Sequence, residues 1–512
     1  MAKTRLAEAA ELLQAGRFAA ASALYQASLA EDGEGFEAWC GLGHAMSGAL
    51  EYGAAIPAIR QALALRPGEA WLRVNLARAL FALGHVSDAM RQLDRAHREG
   101  DEEIRAMVER NRAIMAPGDP ALDNAAILAL RQRFAAREAR SVQPLAPAPV
   151  PGEKLRVAYY GAFFGQKNWM KMYMGVINAH DRDRFEVHLI VDGELPSAEA
   201  GYRDHAEDRI WEVTGLSNPE LAGHIAAAGI EVLVDLNGYS HAARLPLLLH
   251  RAAPIQIAWN GMYGTTGFPN LDALIGDEWS IPPEEVPFCT EPFRRVTRTY
   301  LPFDVFYPTP PVAPPPCLRR GHITFGSLNS AYKLTQPTIM IWAAVLRACP
   351  DARMLLRNRA LDQASNRADL LGRFAAEGIA PERLTLQGSG AHEEFLRSYD
   401  AMDIALDSFP YNGGTTTVEA LWQGVPVLTM IGDRWAGRTS RTILIAAGFP
   451  EDVAGDPAAL VERAIRLAAS PRALAERRAV QRQALTASAA HDPARLCREL
   501  EAIYLEMAAA RR

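Results

Sequence analysis

The chain has 512 residues and a mass of 55.9 kDa, and 49% of its residues are hydrophobic, enough for more than one domain core. A formal net charge of −6 and a pI near 6.1 exclude an electrostatic case for nucleic acid or an anionic membrane surface. Cys40, Cys289, Cys317, Cys349 and Cys497 form no CxxC pair, the N-terminus MAKTRLAEAAELLQAG is amphipathic, and no run reaches the apolar length of a membrane span. A cytoplasmic, soluble, multidomain protein without a disulfide framework or zinc cluster is expected.

Residues 1–100 repeat at a period of 34. Ala21, Ala55 and Ala89 coincide, as do Phe18, Tyr52 and Val86, and Tyr25, Ile59 and Leu93. Two more columns are Ala9, Gly43, Ala77 and Leu12, Met46, Leu80. The middle unit is the fullest, with Trp39, Leu42, Gly43, Ala55, Ala62 and Pro67. Small residues where paired helices touch, with larger ones between units, are the tetratricopeptide pattern. About three units are expected, close to the minimum that stacks, so the array should lean on the rest of the chain. Its expected role is to bind a protein segment in a groove, or to serve as a structural dock.

Residues 101–152 read as a connector: two helices near 102–116 and 120–140, broken at Pro117-Gly-Asp-Pro120, then the stiff proline-rich linker Pro144–Pro151. From Leu155 strands and helices alternate. Leu155–Tyr160, Phe185–Val191, Ile230–Leu236 and Pro254–Trp259 are expected strands, with a helix at Asn218–Ala228. A second set runs through the strands Ile323–Leu328, Arg353–Leu356 and Arg383–Leu386, with helices near Pro337–Ala348 and His392–Tyr399. Helical residues Pro457–Ala509 close the chain. This predicts two Rossmann-like lobes with a cleft between them, at 153–310 and 311–490, and a C-terminal helix at 491–512.

Loops after strands carry the chemistry in such sheets. Asp235–Arg244 offers a carboxylate, an amide, a glycine turn, His241 and an arginine. Trp259–Gly267 interleaves glycines with hydroxyls and can approach a diphosphate. Asn329-Ser330-Ala331-Tyr332-Lys333 comes after the first strand of the second lobe, with Lys333 as a point charge for a leaving diphosphate.

The densest signal is Asp403–Arg441. The strand Ile404–Leu406 is broken by Pro410, Asn412, Gly413 and Gly414, and Thr415, Thr416 and Thr417 open a helix; Gly424–Met430 returns as a strand. The first amides of a helix lack partners within it and carry about half a positive charge, so this geometry suits an anion. Glycines allow close approach of a diphosphate, threonine hydroxyls cap or donate, and Glu419 is placed for a ribose. Taken alone, such a stretch is equally an ordinary capped helix.

Together the repeats, GIEVLVDLNGYSHAAR, APIQIAWNGMYGTTG, NSAYK and ALDSFPYNGGTTTVEALWQGVPVLTMIGDRWAGR closely resemble the O-linked N-acetylglucosamine transferase and SPINDLY family, glycosyltransferase family 41, over essentially the whole chain. The resemblance is to a bacterial member with a short array. It implies a GT-B fold and inverting, metal-independent transfer from a nucleotide sugar to Ser or Thr of a protein, with flagellin among the acceptors. No cofactor or metal is expected. By position, Lys333 resembles the lysine on the donor phosphate, Thr415 and Thr416 the diphosphate threonines, Glu419 the ribose acid, and Gly264-Thr265-Thr266 the donor loop.

The pattern also departs from the family. Where the first lobe loop usually carries an acid and two histidines, this chain has Phe163, Lys167 and Lys171, and Gly414 stands where a histidine precedes the threonines. A lysine of lowered pKa is suited to act as base or to neutralise a donor carboxylate, as with a CMP-nonulosonic acid; the alternative is that both lysines are merely solvated. His241, Asp235, Lys167 and Lys171 are the candidates for the acceptor proton, His241 first. The competing readings are a non-catalytic adaptor on the same fold, a different donor such as GDP-fucose, and transfer to a glycan or small molecule.

Overall fold

A computed structural model describes residues 2–31, 35–147, 152–259 and 264–511. The chain divides into two compact units: 1–121 with 315–411 and 461–471, and 122–314 with 412–460 and 472–512.

The first unit begins with six helices in three antiparallel pairs: α1 (Ala2–Gln14), α2 (Phe18–Glu31), α3 (Phe36–Gly48), α4 (Tyr52–Leu65), α5 (Ala70–Ala82) and α6 (Val86–Glu99). The repeat columns mark the helix contacts. Ala21, Ala55 and Ala89 are fully buried, and at Gly41 and Gly43 an added Cβ would fall 2.1 Å from the Tyr25 ring and 2.5 Å from Ile59. Small residues there let backbones approach, which is the physical content of the 34-residue period. The array leans on a helix of the same unit, Ala364–Ala376: the Gly53 amide donates to Asn366 Oδ1 at 2.8 Å, Asn366 Nδ2 donates to the Leu50 carbonyl at 2.8 Å, and His85 pairs with Asp369 at 2.9 Å.

The second unit opens with the helix Asn124–Glu138, which Asp123 caps by accepting from the Ala126 amide. The boundary between the units thus falls within the expected connector. The proline-rich stretch is anchored, since the Leu145 amide donates to the His250 carbonyl at 2.6 Å; residues 148–151 of the expected linker lie outside the described residues.

Seven strands come next: β1 (Leu155–Gly161), β2 (Phe185–Val191), β3 (Arg209–Glu212), β4 (Val232–Asp235), β5 (Ile255–Ala258), β6 (Ala273–Gly276) and β7 (Phe293–Arg295). All pair in parallel in the order β3-β2-β1-β4-β5-β6-β7, with β1 in register from Leu155↔Phe185 to Gly161↔Val191. The interior strands are buried on both faces and mostly apolar, as a covered parallel sheet requires. The order reverses between β1 and β4, so the loops after them meet at the switch point where such sheets bind ligands. The C-terminal helix Pro493–Ala509 packs in this unit, with His180 Nδ1 donating to the Glu501 carboxylate (2.9 Å) and Nε2 2.7 Å from Tyr159 Oη.

The first unit resumes with β8 (Thr324–Ser327), β9 (Arg353–Arg357), β10 (Leu384–Gln387) and β11 (Ile404–Leu406), parallel in the order β10-β9-β8-β11. Its switch point lies between β8 and β11. In the second unit, β12 (Val427–Met430) and β13 (Val453–Ala454) pair in parallel. Among the described residues, no helix is long and apolar enough to cross a membrane.

Candidate functional site

Two loops meet at the first unit's switch point. After β8, Asn329 is buried and its side-chain amide donates to Asp407 Oδ1 (3.2 Å) and Ser408 Oγ (2.9 Å) in the loop after β11. That side chain is turned into the scaffold, while Ser330 is exposed and starts the turn Ala331–Lys333. Thr335 then caps the helix Gln336–Ala348 by accepting from the Thr338 amide. The Lys333 ammonium lies 4.3 Å from the Tyr411 ring centroid and 5.8 Å from that of Tyr332. Desolvation lowers its pKa to about 8, opposed by attraction to Asp407. The result is a cation in an aromatic setting at the end of a strand, suited to an anionic group.

In the second unit, Gly414 begins the helix Thr415–Trp422 and supplies no side chain to cap it. Thr415 and Thr416 are partly exposed, and Thr415 Oγ1 donates to the Asn168 carbonyl at 3.2 Å. Thr417 is buried, its hydroxyl 2.7 Å from Ser440 Oγ, which in turn reaches the Gly413 carbonyl at 3.3 Å. Asn412 is fully buried, its amide donating to the Ala436 carbonyl at 2.8 Å. Asn412, Gly413 and Thr417 therefore shape the helix start, and Thr415 and Thr416 are the hydroxyls at its surface.

Four sets of candidate residues have partners within the protein. Lys171 is neither solvated nor open to a ligand: it is fully buried and ion-paired with Glu419, which is 2% exposed. Desolvation lowers the Lys171 pKa, partly offset by Glu419, and the Tyr307 ring lies 5.0 Å from its ammonium. Glu419, expected on a ribose, thus has a protein cation on its carboxylate. Asp235, a candidate base, is buried at the end of β4, where it accepts from the amides of Asn237 and Gly238, both at 3.0 Å; burial raises its pKa to about 6. It closes the turn. The Thr265 and Thr266 hydroxyls, expected at the donor, both donate to Glu291, and Arg131 Nη1 donates to the Thr265 carbonyl at 2.5 Å. Gly264 (φ +126°) is needed there because a Cβ would fall 2.9 Å from Arg131 Nη1; Asn260–Tyr263 lie outside the described residues.

Two candidates keep access to solvent. His241 sits in a kink at the start of residues Gly238–His250, 37% exposed, with Nε2 3.2 Å from Asp192 Oδ2. Asp192 is fixed by a two-pronged contact from Arg244 at 2.7 and 2.8 Å. A partly exposed imidazole oriented by a held carboxylate is a general-base arrangement. Lys167 is partly exposed, its ammonium 6.0 Å from the Tyr307 centroid; in the same loop the rings of Phe163 and Trp169 pack with centroids 4.6 Å apart.

Asp192, Glu291, Arg131 and Tyr307 carry no motif, and Tyr411 sits in the SFPYNGGTTT stretch with nothing there to pair it with Lys333; only the structure brings them in. Among the described residues, His180, Cys497 and Glu501 place ligand atoms close enough for a metal. Both His180 nitrogens have partners, Arg498 pairs with Glu501 at 2.7 Å, and burial pushes the Cys497 thiol up to about 12, so this donor set does not fit a divalent cation.

Helical repeats ahead of two parallel-sheet, Rossmann-like lobes, with a lysine and an uncapped threonine helix start after their strands, define a repeat-bearing protein of the GT-B class. The family description "Glycosyl transferase family 41" matches residues 141–304 and 317–500, and "Tetratricopeptide repeat" matches 48–110. The chain belongs to glycosyltransferase family 41. It is 31% identical over 338 residues to the probable UDP-N-acetylglucosamine–peptide N-acetylglucosaminyltransferase SPINDLY of Solanum lycopersicum, covering 64% of this chain and 36% of that one. The SPINDLY protein of Arabidopsis thaliana is 28% identical over 367 residues, 70% of this chain and 40% of the relative. The chain thus spans little more than a third of the length of the curated relatives it matches. A mutant of the Thermobaculum terrenum O-GlcNAc transferase superposes with a TM-score of 0.84 at 30% identity, over 100% of this chain and 98% of that one.

Proposed function

We propose that this protein is an inverting, metal-independent protein glycosyltransferase that moves a sugar from a nucleotide donor to Ser or Thr of a protein. The observation that carries the reading is Lys333, an ammonium held against two tyrosine rings at a sheet's switch point in a chain of family 41. In this reading an acceptor hydroxyl attacks the anomeric carbon, the C–O bond to the diphosphate breaks on the opposite face, and the acceptor proton passes to His241 Nδ1, with Asp192 accepting from Nε2–H and orienting the imidazole. Lys333 stabilises negative charge developing on the leaving diphosphate, and the amides at Thr415–Thr417 are suited to the same kind of group. The buried Lys171–Glu419 pair supports a donor whose ribose is not read by a bare carboxylate. The repeat array is assigned to the protein acceptor, flagellin or another surface protein being the class to try first.

The test is a thermal-shift panel of UDP-, GDP- and CMP-linked sugars, followed by intact-mass analysis of co-expressed acceptor proteins. One donor should stabilise the protein and add one sugar mass to an acceptor. Lys333→Ala should fold, as judged by its circular dichroism, and transfer nothing. Stabilisation by no nucleotide points to an adaptor, and normal turnover by Lys333→Ala rejects the assignment.

A further inference from the structure

We propose that the third tetratricopeptide unit is part of the device that positions Lys333, with Phe81 of α5 acting through Tyr332 and Tyr411. This rests on the reading of Lys333 as the cation for the leaving group.

The contacts run in a chain within one unit. Phe81 stacks on Tyr332 with centroids 5.3 Å apart and planes 22° apart. Tyr332 meets Tyr411 edge-on at 6.1 Å and 79°. The Lys333 ammonium lies over both tyrosines, closer to Tyr411. Phe81 is the ring that backs Tyr332, which lies between it and Tyr411.

The backbone is clamped at the same place. Arg373, largely buried, donates from Nη1 to the Leu83 carbonyl at the end of α5 (2.8 Å) and from Nη2 to the Leu334 carbonyl, next to Lys333 (2.6 Å). One guanidinium thus holds the repeat and the loop together. Gly84, at φ +84°, lets the chains approach so closely that an added Cβ would lie 2.4 Å from the Leu334 carbonyl oxygen. The charged groups on the packed elements include Asp407, Arg373, the His85–Asp369 pair, Arg73 and Arg78 of α5 and Arg367; Asp407 is the one whose attraction acts on Lys333. Ring faces around an ammonium exclude water and set its position, so loosening the backing ring hydrates the lysine and lets it wander.

The experiment compares the wild type, Phe81→Ala, Phe81→Tyr and Lys333→Ala in the full chain, measuring kcat/KM against pH together with Tm. Phe81→Ala should lose roughly tenfold in kcat/KM, as expected for a displaced catalytic group. Its alkaline limb should move upward, because a better hydrated lysine deprotonates later. Phe81→Tyr keeps the stacked ring and should restore both. Where alanine costs the helix its packing, Phe81→Leu keeps apolar volume without the flat face and should show the same shift of the limb. A lower Tm with unchanged kcat/KM and an unmoved limb, beside an inactive Lys333→Ala, would overturn the bracing alone. Full turnover by Lys333→Ala would overturn the reading beneath it.

Discussion

Lys171→Met isolates one physical quantity. Its partner Glu419 is 2% exposed and Lys171 fully buried, so the substitution strands a carboxylate away from water. Stranded carboxylates escape by protonation. For a glutamate of ordinary pKa ~4.3, taking up the proton at pH 7 costs about 4 kcal/mol at ~1.36 kcal/mol per pH unit. That figure agrees with the roughly 3–5 kcal/mol lost when one partner of a buried ion pair is removed. For a unit of this size, about 4 kcal/mol corresponds to a fall in Tm on the order of 10 °C. The sign with pH is set by linkage. In the variant the folded-state pKa of Glu419 is raised, so the folded form binds the extra proton and the penalty shrinks as pH falls. At pH 5 it should be only about 1 kcal/mol. Scanning calorimetry of Lys171→Met and Lys171→Met/Glu419→Gln between pH 5 and pH 8 measures this. The single variant should be strongly pH-dependent, and the double variant, with both charges gone, should return most of the loss with a flat profile. A single variant as stable as the wild type at pH 7, or a loss independent of pH, would refute the claim that the pair is buried and mutually compensating.

Lys333 carries its own pH signature: with its pKa lowered to about 8, the charged form is lost as pH rises through that value, so kcat/KM should fall above about pH 8. Lys333→Arg, which stays protonated, should remove the limb whatever activity it retains. Glu291→Gln offers one acceptor where the Thr265 and Thr266 hydroxyls now share a carboxylate, and should cost roughly 1–3 kcal/mol in a denaturant or thermal unfolding series. Gly53→Ala places a Cβ 2.4 Å from the Ser365 carbonyl oxygen, where backbone must give; roughly 1–3 kcal/mol of destabilisation is expected, read as early proteolysis within the repeats. Asp235→Asn replaces one of two acceptors facing the Asn237 and Gly238 amides with a donor, and should lower Tm without creating a pH-dependent kcat defect.

Much of this protein is local in origin and legible as such. The 34-residue columns specify helix pairing because small residues recur where backbones touch, and α1–α6 keep that period. Ile404–Leu406 is an unbroken apolar run, and Leu155–Gly161 and Phe185–Val191 are mostly apolar, interrupted by Arg156 and by Glu186 and His188, as a largely covered parallel strand allows. Strand β3 (Arg209–Glu212) is not legible, because it lies largely exposed at the sheet's edge and has no apolar run; β7 (Phe293–Arg295) is only three residues long. The Gly414–Thr417 helix start is legible because a glycine turn, hydroxyls and a helix are consecutive in the chain.

What could not be read is which charges meet. Lys171 and Glu419 are 248 residues apart, and a single sequence does not say that one will neutralise the other. The same holds for Phe81 with Tyr332, for Arg373 with Leu83 and for Thr265 with Glu291. Sequence alone determined most of the elements, their repeat and the family, because propensity, period and motif act over a few residues. Tertiary structure alone decided which candidate groups remain open to a ligand and which are consumed by the scaffold, because burial and charge pairing depend on where distant segments come to rest.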